Sequence, residues 1–93
     1  MAKIIWTKRS VKDLKLVFDY ISLDSTVYAT RFIIRLISRV DQLEIFPESG
    51  RIVPEKDDPT IREIIEGNFR IFYKIQRGNV TILRIHNSAR KID

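Results

Sequence analysis

The hydrophobic period of this chain changes halfway along it, and that change constrains the fold more than any other feature. In the first half, apolar residues recur at intervals of three and four, which is typical of one face of a helix. Thr7 and Ser25 precede two such stripes as candidate amino-terminal caps. The pattern predicts two amphipathic helices packed as an antiparallel hairpin. The stripes comprise Val11, Leu14, Phe18 and Ile21 in the first helix, and Ala29, Phe32, Ile33, Leu36, Ile37, Val40 and Leu43 in the second.

The second half of the chain alternates apolar and polar residues, as half-buried strands do. Three segments show this alternation, "IREII", "FRIFYKI" and "VTILRIH", with Gly67-Asn68 and Gly78-Asn79 at the turns between them. The early run "KIIW" predicts a further strand, and the turn-rich "GRIVPEKDDP" predicts a loop. We therefore predict an α+β fold in the order β-α-α-β-β-β, with the helical hairpin packed on a small antiparallel sheet. The length predicts a single domain over residues 1–93.

The pairing of the last two strands decides which side chains meet on the open face of the sheet. A two-residue loop at Gly78-Asn79 would place Arg70 and His86 on opposite faces. A three-residue loop at 77–79 pairs residue 76 with residue 80 and sets Arg70 opposite His86, with Ile82 on their face. We predict the second register because it buries a consistent apolar set, which comprises Ile71, Tyr73, Leu83 and Ile85.

Positive charge is unevenly distributed along the chain. The formal net charge is +5, yet residues 1–68 carry 11 basic and 11 acidic residues, so the excess lies entirely in residues 69–93. Such asymmetry predicts an anionic partner, either nucleic acid or an acidic protein. A basic surface without a partner is the alternative. The residues expected to bind the partner are Lys56, Lys74, Arg84 and Arg90.

Several classes of protein are excluded by composition. There are no cysteines, so neither a disulfide framework nor a thiolate metal site is available. His86 is the only histidine, which leaves too few ligands for a zinc site. The start "MAKIIWTKRS" is too polar for a signal peptide, and no apolar run approaches membrane-spanning length. We expect a soluble cytoplasmic protein with no metal and no cofactor.

Glu55, Arg70 and His86 together have the chemistry of a metal-independent RNA-cleaving site. Attack by a ribose 2′-hydroxyl needs a base, a cation on the phosphate and an acid for the leaving oxygen, and these residues match those roles in that order. The alternative is that His86 is an exposed or capped histidine at a strand end. We also expect Arg62 to reach a neighbouring carboxylate and Glu63 to face solvent.

Three segments of the sequence resemble the ParE/RelE superfamily of bacterial toxins: "LEIFPESGRIVPE", "IREIIEGNFRIFYKI" and "ILRIHNSAR". With the amino-terminal tryptophan and the helical hairpin, the resemblance covers nearly the whole chain. It implies the toxin half of a type II toxin–antitoxin pair, silenced in a hetero-oligomer with a neighbour-encoded antitoxin. The fold that it implies is the one predicted from the hydrophobic pattern.

The superfamily divides by mechanism. RelE-like members cleave mRNA in the ribosomal A site, and their loop Glu, strand Arg and late His fall on Glu55, Arg70 and His86. Many of those nucleases also use a tyrosine near the carboxyl end, whereas here no tyrosine follows Tyr73. The segments "GRIVPE" and "HNSAR" resemble those of ParE-like members, which inhibit DNA gyrase, more than those of RelE-like members. The resemblance therefore favours a ParE-like gyrase inhibitor, with the ribosome-dependent mRNA endonuclease as the alternative.

Overall fold

The computed structural model of the protein describes residues 1–88. A hairpin of two helices packs on one face of a five-stranded sheet, which confirms the predicted α+β class and element order. The elements in chain order are β1 (Lys3–Trp6), α1 (Lys8–Ser22), α2 (Thr26–Asp41), a 3-10 turn (Gln42–Glu44), β2 (Arg51–Ile52), β3 (Ile61–Glu66), β4 (Phe69–Gln76) and β5 (Asn79–Asn87). The two-residue β2 is an addition, because its segment was predicted to be a loop.

The sheet is mixed rather than purely antiparallel as predicted. Its strand order is β1-β5-β4-β3-β2, and β1 runs parallel to β5 while the other neighbours are antiparallel. The whole helical hairpin separates β1 from the later strands, and parallel neighbours need a long crossover of this kind. β1 pairs only with residues 79–82, so the edge of β5 beyond Ile82 has no strand partner among residues 1–88.

The predicted caps and the second apolar stripe are confirmed. The Thr7 hydroxyl accepts a hydrogen bond from the Ser10 backbone N–H at 3.0 Å, and the Ser25 hydroxyl accepts one from the Tyr28 N–H at 3.0 Å. Each satisfies a backbone donor that the first helical turn leaves free. The buried residues of α2 all belong to the predicted stripe and are Ala29, Phe32, Leu36 and Val40.

The stripe predicted for α1 is partly wrong. Val11 is 52% exposed, whereas the polar Ser10 and Asp13 are buried beside Val17. Both have partners that make burial tolerable: the Ser10 hydroxyl donates to the Thr7 carbonyl at 2.9 Å, and Asp13 accepts the Ile85 backbone N–H at 3.0 Å. Apolar spacing alone could not show that one face of this helix is fixed by hydrogen bonds to a strand.

The β4–β5 register was predicted correctly at Arg70 but wrongly at the turn. The loop has two residues, Arg77 and Gly78, both with positive φ (53° and 76°), and it pairs Gln76 with Asn79 rather than with residue 80. A β-bulge then inserts one extra residue into β5, and beyond it Arg70 pairs with His86 as predicted. Between the turn and the bulge, each side chain of β5 points to the opposite sheet face from the predicted one. Ile82 therefore lies in the core instead of beside Arg70.

Candidate functional site

Arg70 lies at the centre of an ion cluster on the sheet face that points away from the helices. Its Nε donates to Glu63 Oε1 at 2.6 Å and its Nη2 donates to Glu63 Oε2 at 3.0 Å. On its other side, Nη1 and Nη2 donate to the two carboxylate oxygens of Glu55 at 2.9 and 3.1 Å. Arg51 Nε also donates to Glu63, at 2.9 Å. We call Arg51, Glu55, Glu63 and Arg70 the arginine–glutamate cluster.

Glu63 is the buried member of the cluster, and the prediction that it faces solvent is wrong. Its side chain is 0% exposed, whereas that of Arg70 is 19% exposed. The hydrogen bonds from Arg70 lower the pKa of Glu63 despite the opposing effect of burial, and Arg51 adds to the lowering. The same carboxylates raise the pKa of Arg70, Glu63 more than Glu55. Pairing within the cluster therefore favours the charged forms of Glu63 and Arg70.

Strand alternation was a signal that could have placed Glu63. Ile64 packs in the core, so Glu63 must point to the opposite face, where it pairs across the strands with Phe72, two residues from Arg70. Arg62 was expected to bind a carboxylate, but its Nη1 donates to the backbone carbonyls of Glu48 and Gly50, at 3.2 and 2.9 Å. That expectation is also wrong.

Glu55 reaches Arg70 from a turn between β2 and β3. The Lys56 backbone N–H donates to the Val53 carbonyl at 3.1 Å, and Val53 anchors this turn in the interior while Glu55 stays 60% exposed. The hydrogen bonds from Arg70 lower the pKa of Glu55. The structure thus brings together two of the three residues expected in a nuclease site, but it joins them as an ion pair.

His86 lies across from Arg70 on β5. Within residues 1–88, no side-chain hydrogen bond or ion pair joins His86 to Arg70 or Glu55. Phe72 packs against the Arg70 guanidinium instead, with its ring centre 4.8 Å from the central carbon. The candidate acid is therefore near the cluster without being part of its bonding.

Tyr73 is buried on the helix-facing side and fixes the loop that carries the cluster residues. Its hydroxyl donates to the Pro47 carbonyl at 2.7 Å and accepts the Gly50 N–H at 3.0 Å. Burial raises its pKa. A Cβ at Gly50 would lie 2.5 Å from the Tyr73 hydroxyl oxygen, so only glycine fits this approach. The anchor sets where Arg51 and Glu55 emerge.

The cations proposed to bind an anionic partner differ in their surroundings. Arg84 Nε donates to Asp13 at 2.8 Å, so its charge is already paired. Lys56 is exposed on the turn beside Glu55. Lys74 lies near Asp58, whose pKa is lowered mainly by the Thr60 hydroxyl and to a smaller extent by Lys74. Arg90 lies outside the described residues.

Two of the basic residues in the last quarter of the chain are thus paired with acids in the fold. Arg70 meets Glu55 and Glu63, and Arg84 meets Asp13, all of them acidic residues from the first 68 positions. The count of charges along the sequence was correct, but it did not show where the charges lie in space, because folding brings distant acids to these cations.

A groove of about 550 Å³ lies between α1 and the end of β5. Its polar border includes Asp13, Arg84 and His86, and its apolar residues are Leu16, Val17, Tyr20, Leu23, Phe69 and Ile85. Leu16 is 57% exposed and Leu23 is 83% exposed. The surface therefore offers uncovered apolar area next to charged groups, a combination typical of protein-binding sites.

Residues 1–88 contain no group of three or more histidine, cysteine, aspartate or glutamate side chains arranged to hold a metal ion. Neither helix in this range is long and apolar enough to cross a membrane.

Comparison with known proteins agrees with this fold and assigns the family. Residues 4–92 match the profile of the family described as ParE toxin of type II toxin–antitoxin system, parDE. The chain is 36% identical over 91 residues to Toxin RelE2 of Caulobacter vibrioides, and this match covers 97% of this chain and 99% of the relative. A solved structure of the chromosomal ParDE system from P. aeruginosa superimposes with a TM-score of 0.76 at 22% identity, over 94% of this chain and 96% of the other. The chain therefore belongs to the ParE toxin family, within the ParE/RelE superfamily of type II toxin–antitoxin toxins.

Proposed function

We propose that this toxin acts as ParE-like toxins do, by blocking DNA gyrase in the cytoplasm, and not by cutting RNA. The observation that carries the proposal is the engagement of Arg70 by two carboxylates. A phosphate clamp needs free N–H donors, but Nε, Nη1 and Nη2 of Arg70 all donate to Glu55 or Glu63. RNA cleavage would require Arg70 to exchange one of these partners for the scissile phosphate.

The state of Glu55 also supports the gyrase proposal. An efficient general base has a pKa near the working pH, which for a carboxylate means a raised value. The hydrogen bonds from Arg70 shift the pKa of Glu55 in the opposite direction. A carboxylate held in this way binds protons weakly and serves better as a structural partner.

Ribosome-dependent mRNA cleavage is the second candidate, and one observation favours it. Glu55 contacts Arg70 directly, and Arg70 pairs across the strands with His86, so the three candidate catalytic residues occupy one region. A bound RNA phosphate that displaced Glu55 from Arg70 would leave base, cation and acid within reach of the same ribose.

Two assays on the purified protein separate these mechanisms. We expect inhibition of gyrase supercoiling, equally by the wild type and by His86→Gln, and no codon-positioned cuts in mRNA on programmed ribosomes. Cuts that disappear in both His86→Gln and Arg70→Ala would reverse the assignment. Loss of a general acid lowers a rate by roughly 10²–10⁴, which lies well within the range of a cleavage assay.

Membership of a toxin–antitoxin family implies a cognate antitoxin, and we propose that it docks along the helical hairpin and the α1–β5 groove, reaching the sheet near Arg70 and Arg84. Exposed apolar side chains on the helical hairpin and the turn between its helices would gain burial, and they include Val11, Leu16, Leu23, Val27 and Ile34. An acidic, partly disordered segment that folds on this surface suits the neighbouring cations. The ordering entropy calls for a contact of at least roughly 1,000 Å².

Salt dependence tests the charged part of this contact. We expect the antitoxin's affinity to fall between low and high salt, and Arg84→Glu to weaken it further, since exposed charge pairs are screened while apolar contacts are not. An affinity that changes neither with salt nor in Arg84→Glu would mean that only apolar contacts hold the antitoxin.

A further inference from the structure

The two carboxylates on Arg70 differ in how firmly they are held. Glu63 has a side chain that is 0% exposed and binds Arg51 as well as Arg70. Glu55 is 60% exposed, and among residues 1–88 its ion pair is with Arg70 only. Exposed ion pairs contribute little net stability, because water and ions screen them. Of the two partners, Glu55 is the one that can leave without exposing a buried charge.

The Arg70 guanidinium would stay in place after Glu55 left. Two of its nitrogens, Nε and Nη2, remain fixed by Glu63, and its face remains packed against the Phe72 ring. Its outer edge would then present N–H groups in a planar fork, the geometry that binds a carboxylate with two parallel hydrogen bonds. A receptor held this rigidly loses little conformational entropy when it binds.

We propose that Glu55 occupies a carboxylate-binding site on Arg70 and gives way there to an acidic side chain of the bound antitoxin. The proposal rests on the antitoxin partner proposed above and assigns one contact within it. The exchange conserves every bond type: Arg70 releases the Glu55 carboxylate and donates instead to the two oxygens of the partner's carboxylate. Glu55 then becomes solvated on its exposed turn.

Charge balance favours a single carboxylate over other anions. The cluster holds two cations, Arg51 and Arg70, against two carboxylates. A monoanion in the place of Glu55 keeps that balance, whereas a phosphate dianion would leave a net negative charge. A nucleic-acid strand carries a charge at every nucleotide and would bring several further negative charges to a cluster that is already balanced. The observations therefore favour an acidic protein segment.

Binding of a small carboxylate to the full-length chain tests the site directly. We would titrate acetate into ¹⁵N-labelled wild type, Glu55→Ala, Glu55→Gln and Glu48→Ala, following the Arg70 Nε–H signal. An internal competitor raises the apparent Kd by the inverse of the fraction of free sites, so an exposed ion pair of this kind should make Glu55→Ala bind acetate about two- to sixfold more tightly than wild type. Glu55→Gln should fall between them. Glu48→Ala removes an equal charge from an exposed glutamate outside the cluster and should match wild type.

Equal acetate affinity in wild type and Glu55→Ala would overturn the proposal. Inorganic phosphate or a ten-nucleotide deoxyadenylate that binds at Arg70 more strongly than acetate would also overturn it. Stronger binding of the deoxyadenylate would assign the site to nucleic acid. A parallel titration with purified antitoxin separates this inference from the proposed partner. Antitoxin that fails to bind wild type refutes the partner alone, while antitoxin that binds wild type and Glu55→Ala equally refutes the exchange alone.

Discussion

The two faces of β4 are stabilised in different ways. On the helix-facing side, Ile71 and Tyr73 are fully buried in the apolar core. On the opposite side, Arg70 is held by charged partners and by the Phe72 ring. Apolar burial responds little to pH or salt, whereas charge pairing responds to both. One strand therefore supports a constant core on one side and a surface that solution conditions and ligands can change on the other.

Truncation in the core should have the largest effect. Leu36 is 0% exposed under the sheet, and Leu36→Ala should lower the free energy of unfolding by about 4 kcal/mol, from lost burial plus the cavity left behind. Urea denaturation measures it. The matched control is Leu16→Ala, at an exposed position of α1, which should change stability by less than about 0.5 kcal/mol. Equal effects at the two leucines would contradict the assignment of the core.

Removal of the buried carboxylate should come next. Glu63→Ala leaves Arg51 and Arg70 without their shared partner, and we expect a loss of roughly 3 kcal/mol, at the lower end for buried pairs because both arginines are partly exposed. Glu48→Ala serves as the control. A loss at Glu63 no larger than at Glu48 would show that the outer face of β4 contributes no stability.

Acid should reproduce part of that loss. The pKa of Glu63 is lowered in the folded state by Arg70, so its contribution is complete above the ordinary value of 4.5 and is lost as pH falls through the lower folded value. We expect the urea midpoint of the wild type to drop between pH 6 and pH 3. Glu63→Gln should show a shallower drop, since it cannot titrate. Identical pH profiles would assign the acid sensitivity to other groups.

The smallest effect should come from the hydroxyl of Tyr73. Tyr73→Phe keeps the ring but removes the donor to Pro47 and the acceptor for the Gly50 N–H, for an expected loss of about 1–2 kcal/mol. Faster hydrogen exchange at the Gly50 amide would locate the change in the loop. Unchanged exchange there would mean that the loop is held by other contacts.

Sequence patterns predicted the parts of the fold that depend on local periodicity. The apolar stripe of α2, the caps at Thr7 and Ser25 and the turn at Gly67-Asn68 all follow from neighbouring residues, and the structure has each of them. The β-bulge does not follow from such a pattern, because a two-residue turn and one extra residue in β5 together restore the same pairing at Arg70. Two compensating irregularities leave no signal in apolar alternation.

The positions of the candidate residues were predictable from the sequence, but their bonds were not. Glu55, Arg70 and His86 were expected near one another, and they are. The capture of Arg70 by Glu63 was missed because Glu63 was expected to face solvent, and the pairing of Arg84 with Asp13 was missed because these residues are 71 positions apart. Such contacts depend on how strands and helices meet, which one-dimensional charge counts do not contain.

The bond between Asp13 and the Ile85 N–H has a consequence for solubility. That N–H points to the edge of β5 that no strand covers within residues 1–88, and open edges are where chains join into aggregates. A strand from another molecule would have to displace the Asp13 carboxylate from the Ile85 N–H, which leaves a buried charge with one hydrogen bond fewer. Asp13 thus acts as a gatekeeper against edge-to-edge aggregation, and Asp13→Ala should precipitate at lower protein concentration than the wild type.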